Sequence, residues 1–194
     1  KKNHNFEGNT VGILGGSFDP AHEGHLYIAQ KALEIFELDK VFLLVAKNNP
    51  LKTTKSSFEK RLESAANLST NPKIIASNFE SLIKSSYSYD VVKSIKETYP
   101  NSKFIWLMGA DNFVELESWY RWNDFMELIP IAIFDRGDFM DKALNSKSAK
   151  YYDKYRISEE DMRILPYKKP PAWCFVKIKK HPLSSTLIRR RADD

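Results

Sequence analysis

The sequence predicts an α/β fold in which one doubly wound parallel sheet carries helices on both faces. Short, almost wholly apolar runs recur along the 194 residues, and stretches with apolar side chains at helical spacing separate them. Strands that alternate with helix-length segments are joined by right-handed crossovers, which give a parallel sheet. Parallel strands that are buried on both faces appear as continuous hydrophobic runs, as these do.

The strands are predicted from these apolar runs, the first of which is closed by glycines. Residues 172–179 alternate more and are predicted as a later strand. Residues 138–171 are polar and rich in tyrosine, and we predict that they leave the sheet. The predicted strands are Thr10–Gly16, 41–46, 73–77, 103–109, 130–137 and 172–179.

The helices are predicted from apolar spacing and from capping residues. Ser56 and Glu59 form a capping-box pair before one helix, and Pro100 ends another. A last helix begins near Ser184. The apolar faces comprise Leu26, Ala29, Leu33 and Phe36 in the first helix and Phe58, Leu62 and Ala65 in the second.

The composition is that of one folded domain, 42% hydrophobic and 13% aromatic. We expect a single domain over residues 1–194, with a flexible tail at 1–9 and a C-terminal phosphate-binding helix at 183–194. The longest apolar runs are too short to cross a bilayer, and the first residues do not continue into a secretory signal. Cys174 is the one cysteine, so an internal disulfide is excluded and a cytoplasmic location is expected.

The charge balance alone selects no function. Lys and Arg number 30 against 25 Asp and Glu, a formal net charge of +5. Such a surface could bind nucleic acid or small phosphorylated ligands, or it could simply be solvated.

Glycine and histidine concentrate in the segment LGGSFDPAHEGHL. Four of the seven glycines and two of the four histidines lie between Gly12 and His25. At the carboxyl end of a strand, glycines let backbone N–H groups approach a phosphate, and the following helix N-terminus favours negative charge. His22 and His25 can donate hydrogen bonds to phosphate oxygens and take up charge as a leaving group develops. A capped turn at a strand end is the plainer interpretation, and the i, i+3 spacing makes zinc a poor fit.

The segment GGSFDPAHEGH resembles the G-x-F-D-P-x-H-x-G-H signature of the H-x-G-H nucleotidyltransferases, whose fold is Rossmann-like. Later segments resemble bacterial nicotinate-nucleotide adenylyltransferases in family order. These segments are NNPLK (48–52), SSYSYDVV (85–92), GADNFVELESWYRW (109–122) and LSSTLIRRR (183–191).

The resemblance implies the transfer of the adenylyl group of ATP to nicotinate mononucleotide. It implies that His22, His25, Lys52 and Arg189 act in catalysis, with Mg²⁺ bound to the ATP and no metal site on the protein. Tyr87, Ser88, Trp119 and Tyr120 would bind the nicotinate. The implied ATP-binding residues are Gly15, Gly16, Ser17, Phe18, Asp19, Gly109, Asp111, Arg136, Ser184, Ser185 and Thr186.

The sequence departs from the family pattern at three points. Leu51 stands where a histidine often precedes the loop lysine, Ser88 replaces a threonine, and Arg136 is followed by Gly137 without the usual proline.

The expected partners are ATP and nicotinate mononucleotide, with no nucleic acid and no membrane, and a homo-oligomer is left open. Three alternatives also stay open: another acceptor within the superfamily, a nucleotide sensor that does not turn over, and a nucleic-acid binder.

Overall fold

The fold is a single seven-stranded sheet with helices on both faces. It is seen in a computed structural model that describes residues 8–47, 54–135 and 137–178. The strands, in chain order β1 to β7, are Thr10–Gly16, Lys40–Val45, Ile74–Ser77, Lys103–Gly109, Ile131–Asp135, Arg156–Ile157 and Trp173–Lys177. Their order in the sheet is β3-β2-β1-β4-β5-β7-β6, and every pair is parallel. The predicted fold class is confirmed.

Within the described ranges, seven α-helices and four 3₁₀ segments accompany these strands. None of the described helices is long and apolar enough to traverse a bilayer. The 3₁₀ segments are Phe79–Leu82, Leu116–Ser118, Asp153–Tyr155 and Glu159–Tyr167. The helices, in chain order α1 to α7, are Glu23–Ile35, Phe58–Ala66, Ser88–Thr98, Ala110–Val114, Trp122–Leu128, Met140–Leu144 and Lys147–Tyr151.

The sheet separates two hydrophobic cores. Along β4, Trp106 and Met108 enter one core, whereas Ile105 and Leu107 enter the other. The first core is completed by side chains from α3 to α7, and the second by α1, α2 and the segment Glu159–Tyr167. Strands that bury both faces need apolar residues at every position, and this is why the sequence shows unbroken hydrophobic runs.

The strand order reverses between β1 and β4. From β1 the chain proceeds to β2 and β3 on one side, then returns to β4 on the other side of β1. In open sheets of this kind, ligands bind in the crevice outside the carboxyl ends of the strands at such a reversal. Gly16 ends β1 and Gly109 ends β4, so both predicted glycine positions border this crevice.

Two local predictions are wrong. The N-cap of α2 is Ser57, whose side chain accepts from the Lys60 N–H, and not the predicted pair of Ser56 and Glu59. The backbone carbonyl of Ser56 instead accepts from Arg61 Nε. Residues 138–171 do not leave the sheet entirely, because β6 pairs with β7 at its edge.

Candidate active site

We define the β1–α1 loop as residues 15–22, which are the last two residues of β1 and the connection to α1. Position 15 requires glycine, because a Cβ there would overlap the Trp106 indole, with Cζ2 only 2.9 Å away. Phe18 takes a left-handed backbone conformation (φ 52°) while its ring is buried. A non-glycine residue keeps such a conformation only where its surroundings hold it, which is common at functional sites.

The two histidines cap α1 with their rings. Nδ1 of His22 accepts from the Gly24 N–H at 3.0 Å, and Nδ1 of His25 accepts from the His22 N–H at 3.1 Å. Because a backbone N–H can only donate, each Nδ1 holds a lone pair and the proton of each neutral ring is on Nε2. The ring centroids are 3.9 Å apart. The capping therefore fixes both rings with Nε2–H as the donor.

This arrangement refines the expected charge uptake by the histidines. A second proton on either ring would have to sit on Nδ1, facing the N–H that it now accepts from. That would break the cap, and protonation of both rings would also place two like charges on ring centroids 3.9 Å apart. The geometry therefore favours neutral rings that donate from Nε2.

Helix α2 and the residues before it anchor the β1–α1 loop at three points. The Asp19 carboxylate, which is buried, accepts from the Lys55 N–H at 2.8 Å. The Ala21 N–H donates to Ser64 Oγ at 2.9 Å. The third anchor is Arg61, whose Nη1 donates to the Ser17 carbonyl at 2.9 Å. The loop conformation is thus set by buried polar contacts from a separate element.

Arg61 is 3% exposed, and its hydrogen bonds all reach backbone carbonyls. Besides Ser17, Nη1 donates to Ala46 at 2.7 Å, Nη2 to Lys47 at 3.2 Å and Nε to Ser56 at 3.2 Å. A planar guanidinium can satisfy several carbonyls at once, whereas an ammonium cannot hold the same geometry. Arg61 therefore joins the carboxyl ends of β1 and β2.

A cavity of about 320 Å³ opens beside the β1–α1 loop. Its walls come from the ends of β1, β2 and β4, from the start of α3 and from the turn after α4. Most residues predicted to bind nicotinate or to contact phosphates from β1 meet here. The lining includes Gly15, Gly16, Ser17, Tyr87, Ser88, Trp119 and Tyr120, together with Glu80, Trp106 and Glu115.

Aromatic rings form one wall of this cavity. Trp119 packs edge-on against Trp106 at 6.3 Å and against Phe125 at 5.7 Å, which anchors a half-buried indole at the cavity. Tyr87 and Tyr120 stack on each other at 4.5 Å and are about half exposed. Flat apolar faces of this kind are suited to a planar ring.

The start of α3 supplies polar groups to the same cavity. Ser88 opens the helix, and the first N–H groups of a helix have no intrahelical acceptor. Ser85 Oγ organises the preceding turn, since it donates to the Asp90 carboxylate at 2.7 Å and accepts from the Tyr87 N–H at 3.1 Å. The cavity thus combines aromatic faces with the start of a helix that has no side-chain cap, and such a helix start favours a negatively charged ligand.

Glu80 lies in the cavity wall and was not predicted as a site residue. Its Oε1 accepts from the Lys47 N–H at 3.1 Å. Burial raises the pKa of the Glu80 carboxyl to about 7, although that hydrogen bond and the charges of Lys47 and Arg61 act in the opposite direction. Lys47 Nζ donates to the carbonyls of Ile83 at 3.0 Å and Lys84 at 3.4 Å.

Asp111 stands beside the cavity at the end of β4. It lies in the first turn of α4, is exposed, and holds Oδ1 where a Cβ on Gly109 would be 2.5 Å away. Gly109 therefore leaves room for the carboxylate. The neighbouring Asn112 contributes to the cavity wall.

The remaining predicted site residues lie outside the described residues. They are Lys52, Arg136, Ser184, Ser185, Thr186 and Arg189, and the predicted helix 183–194 lies outside them as well. Sequence reasoning missed Lys47, Arg61, Glu80 and Trp106. The one available signal was an arginine beside the apolar positions of α2, because a charge on the buried face of a helix needs partners.

The family model of the cytidylyltransferase-like proteins matches residues 13–191. A curated relative from Ruegeria sp. strain TM1040 is 37% identical over 94% of this chain and 97% of its own, and one from Parvibaculum lavamentivorans is 38% identical over 95% and 92%. Both are named "probable nicotinate-nucleotide adenylyltransferase".

Solved structures share the fold. Nicotinic acid mononucleotide adenylyltransferase from Plasmodium falciparum, complexed with NaAD, superposes with a TM-score of 0.69. It is 23% identical, and the match covers 93% of this chain and 82% of that one. From the family model and the curated relatives, this chain belongs to the cytidylyltransferase-like family and, within it, to the nicotinate-nucleotide adenylyltransferases.

Proposed function

We propose that the chain joins nicotinate mononucleotide to the adenylyl group of ATP, giving nicotinate adenine dinucleotide and pyrophosphate. The observation that carries this proposal is the cavity described above. Its aromatic wall and the start of α3 adjoin Gly15, Gly16 and Ser17 of the β1–α1 loop. A ring-binding cavity next to a phosphate-binding loop suits a reaction between two nucleotides. The names of the relatives support the same acceptor.

The reaction needs no covalent enzyme intermediate. A phosphate oxygen of nicotinate mononucleotide attacks the α-phosphorus of ATP in line. The new O–P bond forms as the bond from the α-phosphorus to the bridging oxygen breaks, and pyrophosphate leaves with that oxygen. Catalysis then consists of positioning the two phosphates and stabilising the charge that develops.

His22 and His25 donate from Nε2 to the phosphate oxygens of ATP. Their Nδ1 atoms are held by the Gly24 and His22 N–H groups, so the donors keep one orientation during the reaction. Donors that are fixed before the reaction need no reorganisation when charge develops.

The other ATP contacts are made by the β1–α1 loop, by the end of β4 and by the predicted C-terminal helix. Gly15, Gly16, Ser17, Phe18 and Asp19 shape the loop around the phosphates, and Gly109 and Asp111 receive the ribose. Lys52 and Arg189 hold the departing pyrophosphate. Arg136, Ser184, Ser185 and Thr186 complete the nucleotide contacts.

The nicotinate ring stacks on Trp119, with Tyr120 beside it. Its carboxylate meets the start of α3 at Tyr87 and Ser88, where the helix has no side-chain cap and favours negative charge. This assignment favours nicotinate over nicotinamide mononucleotide, because the amide lacks the negative charge that such a site stabilises.

Mg²⁺ enters with ATP as part of the substrate. Its hard-cation chemistry suits phosphate oxygens and water. In the described residues, no three His, Cys, Asp or Glu side chains are grouped to hold a metal. The ion neutralises charge on the ATP phosphates.

We further propose that residues 1–194 act as a single domain in the cytoplasm. The single cysteine of the chain, Cys174, supports this location.

The test is pyrophosphate release from MgATP with nicotinate mononucleotide, nicotinamide mononucleotide and phosphopantetheine offered separately. We expect release with the first acceptor, and a decrease in kcat of ~10²–10³ in His25→Ala. Release with only another acceptor would retain the phosphate loop and overturn the roles of Trp119 and Tyr87. ATP binding with no release from any acceptor would indicate a nucleotide sensor.

A further inference from the structure

Arg61 and Lys47 together connect the two sides of the cavity, and we propose that they are positioning residues which hold the β1–α1 loop and the acceptor loop, residues 83–87, in a fixed relation. The proposal rests on the proposed function, in which the first loop binds ATP and the second binds nicotinate.

The first half of the connection runs from β1 to β2. Arg61 Nη1 donates to the carbonyls of Ser17 and Ala46, and Nη2 donates to the carbonyl of Lys47. Because Arg61 is buried, water cannot replace these bonds without opening the loop. The position of Ser17 therefore depends on the end of β2.

The second half runs from β2 to the acceptor loop. The Lys47 N–H donates to Glu80, and its ammonium donates to the carbonyls of Ile83 and Lys84. Three residues after Lys84, Tyr87 is fixed through Ser85 Oγ and the Asp90 carboxylate. The acceptor loop is thus held from one side by β2 and from the other by the first turn of α3.

Neither residue is placed to react with substrate. Arg61 directs its donors to backbone carbonyls, and neither Arg61 nor Lys47 is among the residues that line the cavity. Their effect passes through the two loops. Loss of the connection should therefore change substrate affinity more than the rate of the chemical step.

The test compares Lys47→Met with Lys93→Met, which removes a charge from an exposed position on α3. We expect Lys47→Met to raise the KM for nicotinate mononucleotide about tenfold, the value of one charge-assisted hydrogen bond. Its KM for ATP and its kcat should stay within about twofold of Lys93→Met. An unchanged acceptor KM in Lys47→Met would overturn the proposal.

Arg61→Lys, compared with the exposed Arg163→Lys, should raise both KM values. One ammonium cannot replace Nη1, Nη2 and Nε, which together reach the carbonyls of Ser17, Ala46, Lys47 and Ser56. The double variant should lose less than the product of the two single effects, since both residues act on one connection. Purely multiplicative effects would contradict that connection. If Arg61→Lys fails to fold, Lys47→Met alone decides.

A measurement without substrates separates this proposal from the proposed function. Amide hydrogen exchange of residues 83–87 should accelerate in Lys47→Met and stay unchanged in Lys93→Met. If the wild-type chain turned over no nicotinate mononucleotide, the proposed function would fail while the exchange result still tested the connection. Equal exchange in both variants would refute the connection itself.

Discussion

The two sides of the cavity are built from different chemistry. On the nucleotide side, the β1–α1 loop is fixed by polar contacts from Arg61, Ser64 and the Lys55 N–H. On the acceptor side, exposed rings such as Tyr87 and Tyr120 pack on each other above a helix start. Groups that must stabilise developing charge are held rigidly, whereas a flat ring needs only matching faces. Four predictions test this difference.

The largest effect is expected at His22, where capping and donation can be separated. His22→Asn keeps an N-cap acceptor but removes the ring donor, so kcat should decrease ~10²–10³ while Tm stays near the wild-type value. His22→Ala should lose both, with about 1 kcal/mol of stability removed. Pyrophosphate release and thermal unfolding measure the two quantities. A wild-type kcat in His22→Asn would contradict the proposal that the His22 ring donates to the ATP phosphates.

Next comes Gly15, where the two sides touch. In Gly15→Ala the new methyl group overlaps the Trp106 indole, and overpacking should lower the free energy of unfolding by about 2–3 kcal/mol. Gly16→Ala is the matched control, because its Cβ would meet only the Phe18 ring at 3.4 Å. Adding Trp106→Phe should restore much of the stability of Gly15→Ala. Denaturant unfolding of the wild type, Gly15→Ala, Gly16→Ala and the double variant Gly15→Ala/Trp106→Phe measures these stabilities. Equal stability of Gly15→Ala and Gly16→Ala would contradict the close contact between position 15 and Trp106.

The pH dependence of stability should report Glu80. Its pKa is raised to about 7 in the folded chain, so the unfolded chain releases this proton first as pH rises from about 4.5. Stability from this group is full below that pH and decreases until about pH 7, by about 2 kcal/mol once solvent screening is allowed for.

Glu80→Gln keeps an oxygen acceptor for the Lys47 N–H and removes the titration. The difference in unfolding free energy between variant and wild type should therefore grow with pH over that range and then level off. Denaturant titrations at pH 5, 6, 7 and 8 measure it. A difference that does not vary with pH would contradict the raised pKa.

The smallest effect is expected at Trp119. Trp119→Ala removes the stacking face and should raise the KM for nicotinate mononucleotide about tenfold, with the KM for ATP little changed. Trp119→Phe keeps a smaller stacking face, so its KM for nicotinate mononucleotide should lie between the values of the wild type and of Trp119→Ala. An equal rise in both KM values would mean that Trp119 acts by packing on Trp106 and Phe125 rather than by holding the acceptor.

The sequence predictions were accurate where a local pattern of residues determines the structure, and they failed where the structure depends on contacts between distant elements. Strands β1 and β4 were predicted to the residue, because buried parallel strands are uniformly apolar and end at glycines. The position of Trp119 at the cavity followed from the family segment. The roles of Arg61 and Glu80 could not be predicted, because their partners are backbone atoms of other elements. Strand β6 was missed because two residues carry no period.

The short strand β6 also bears on how copies of this chain could associate. It forms one margin of the sheet with two residues, and β3 forms the other with four. An outermost strand offers unpaired backbone groups that can recruit a strand from another molecule, and a short one offers few. Within the described residues, neither margin is long enough to template an extended intermolecular ladder. Any self-association should therefore use side-chain surfaces on the helical layers rather than continuation of the sheet.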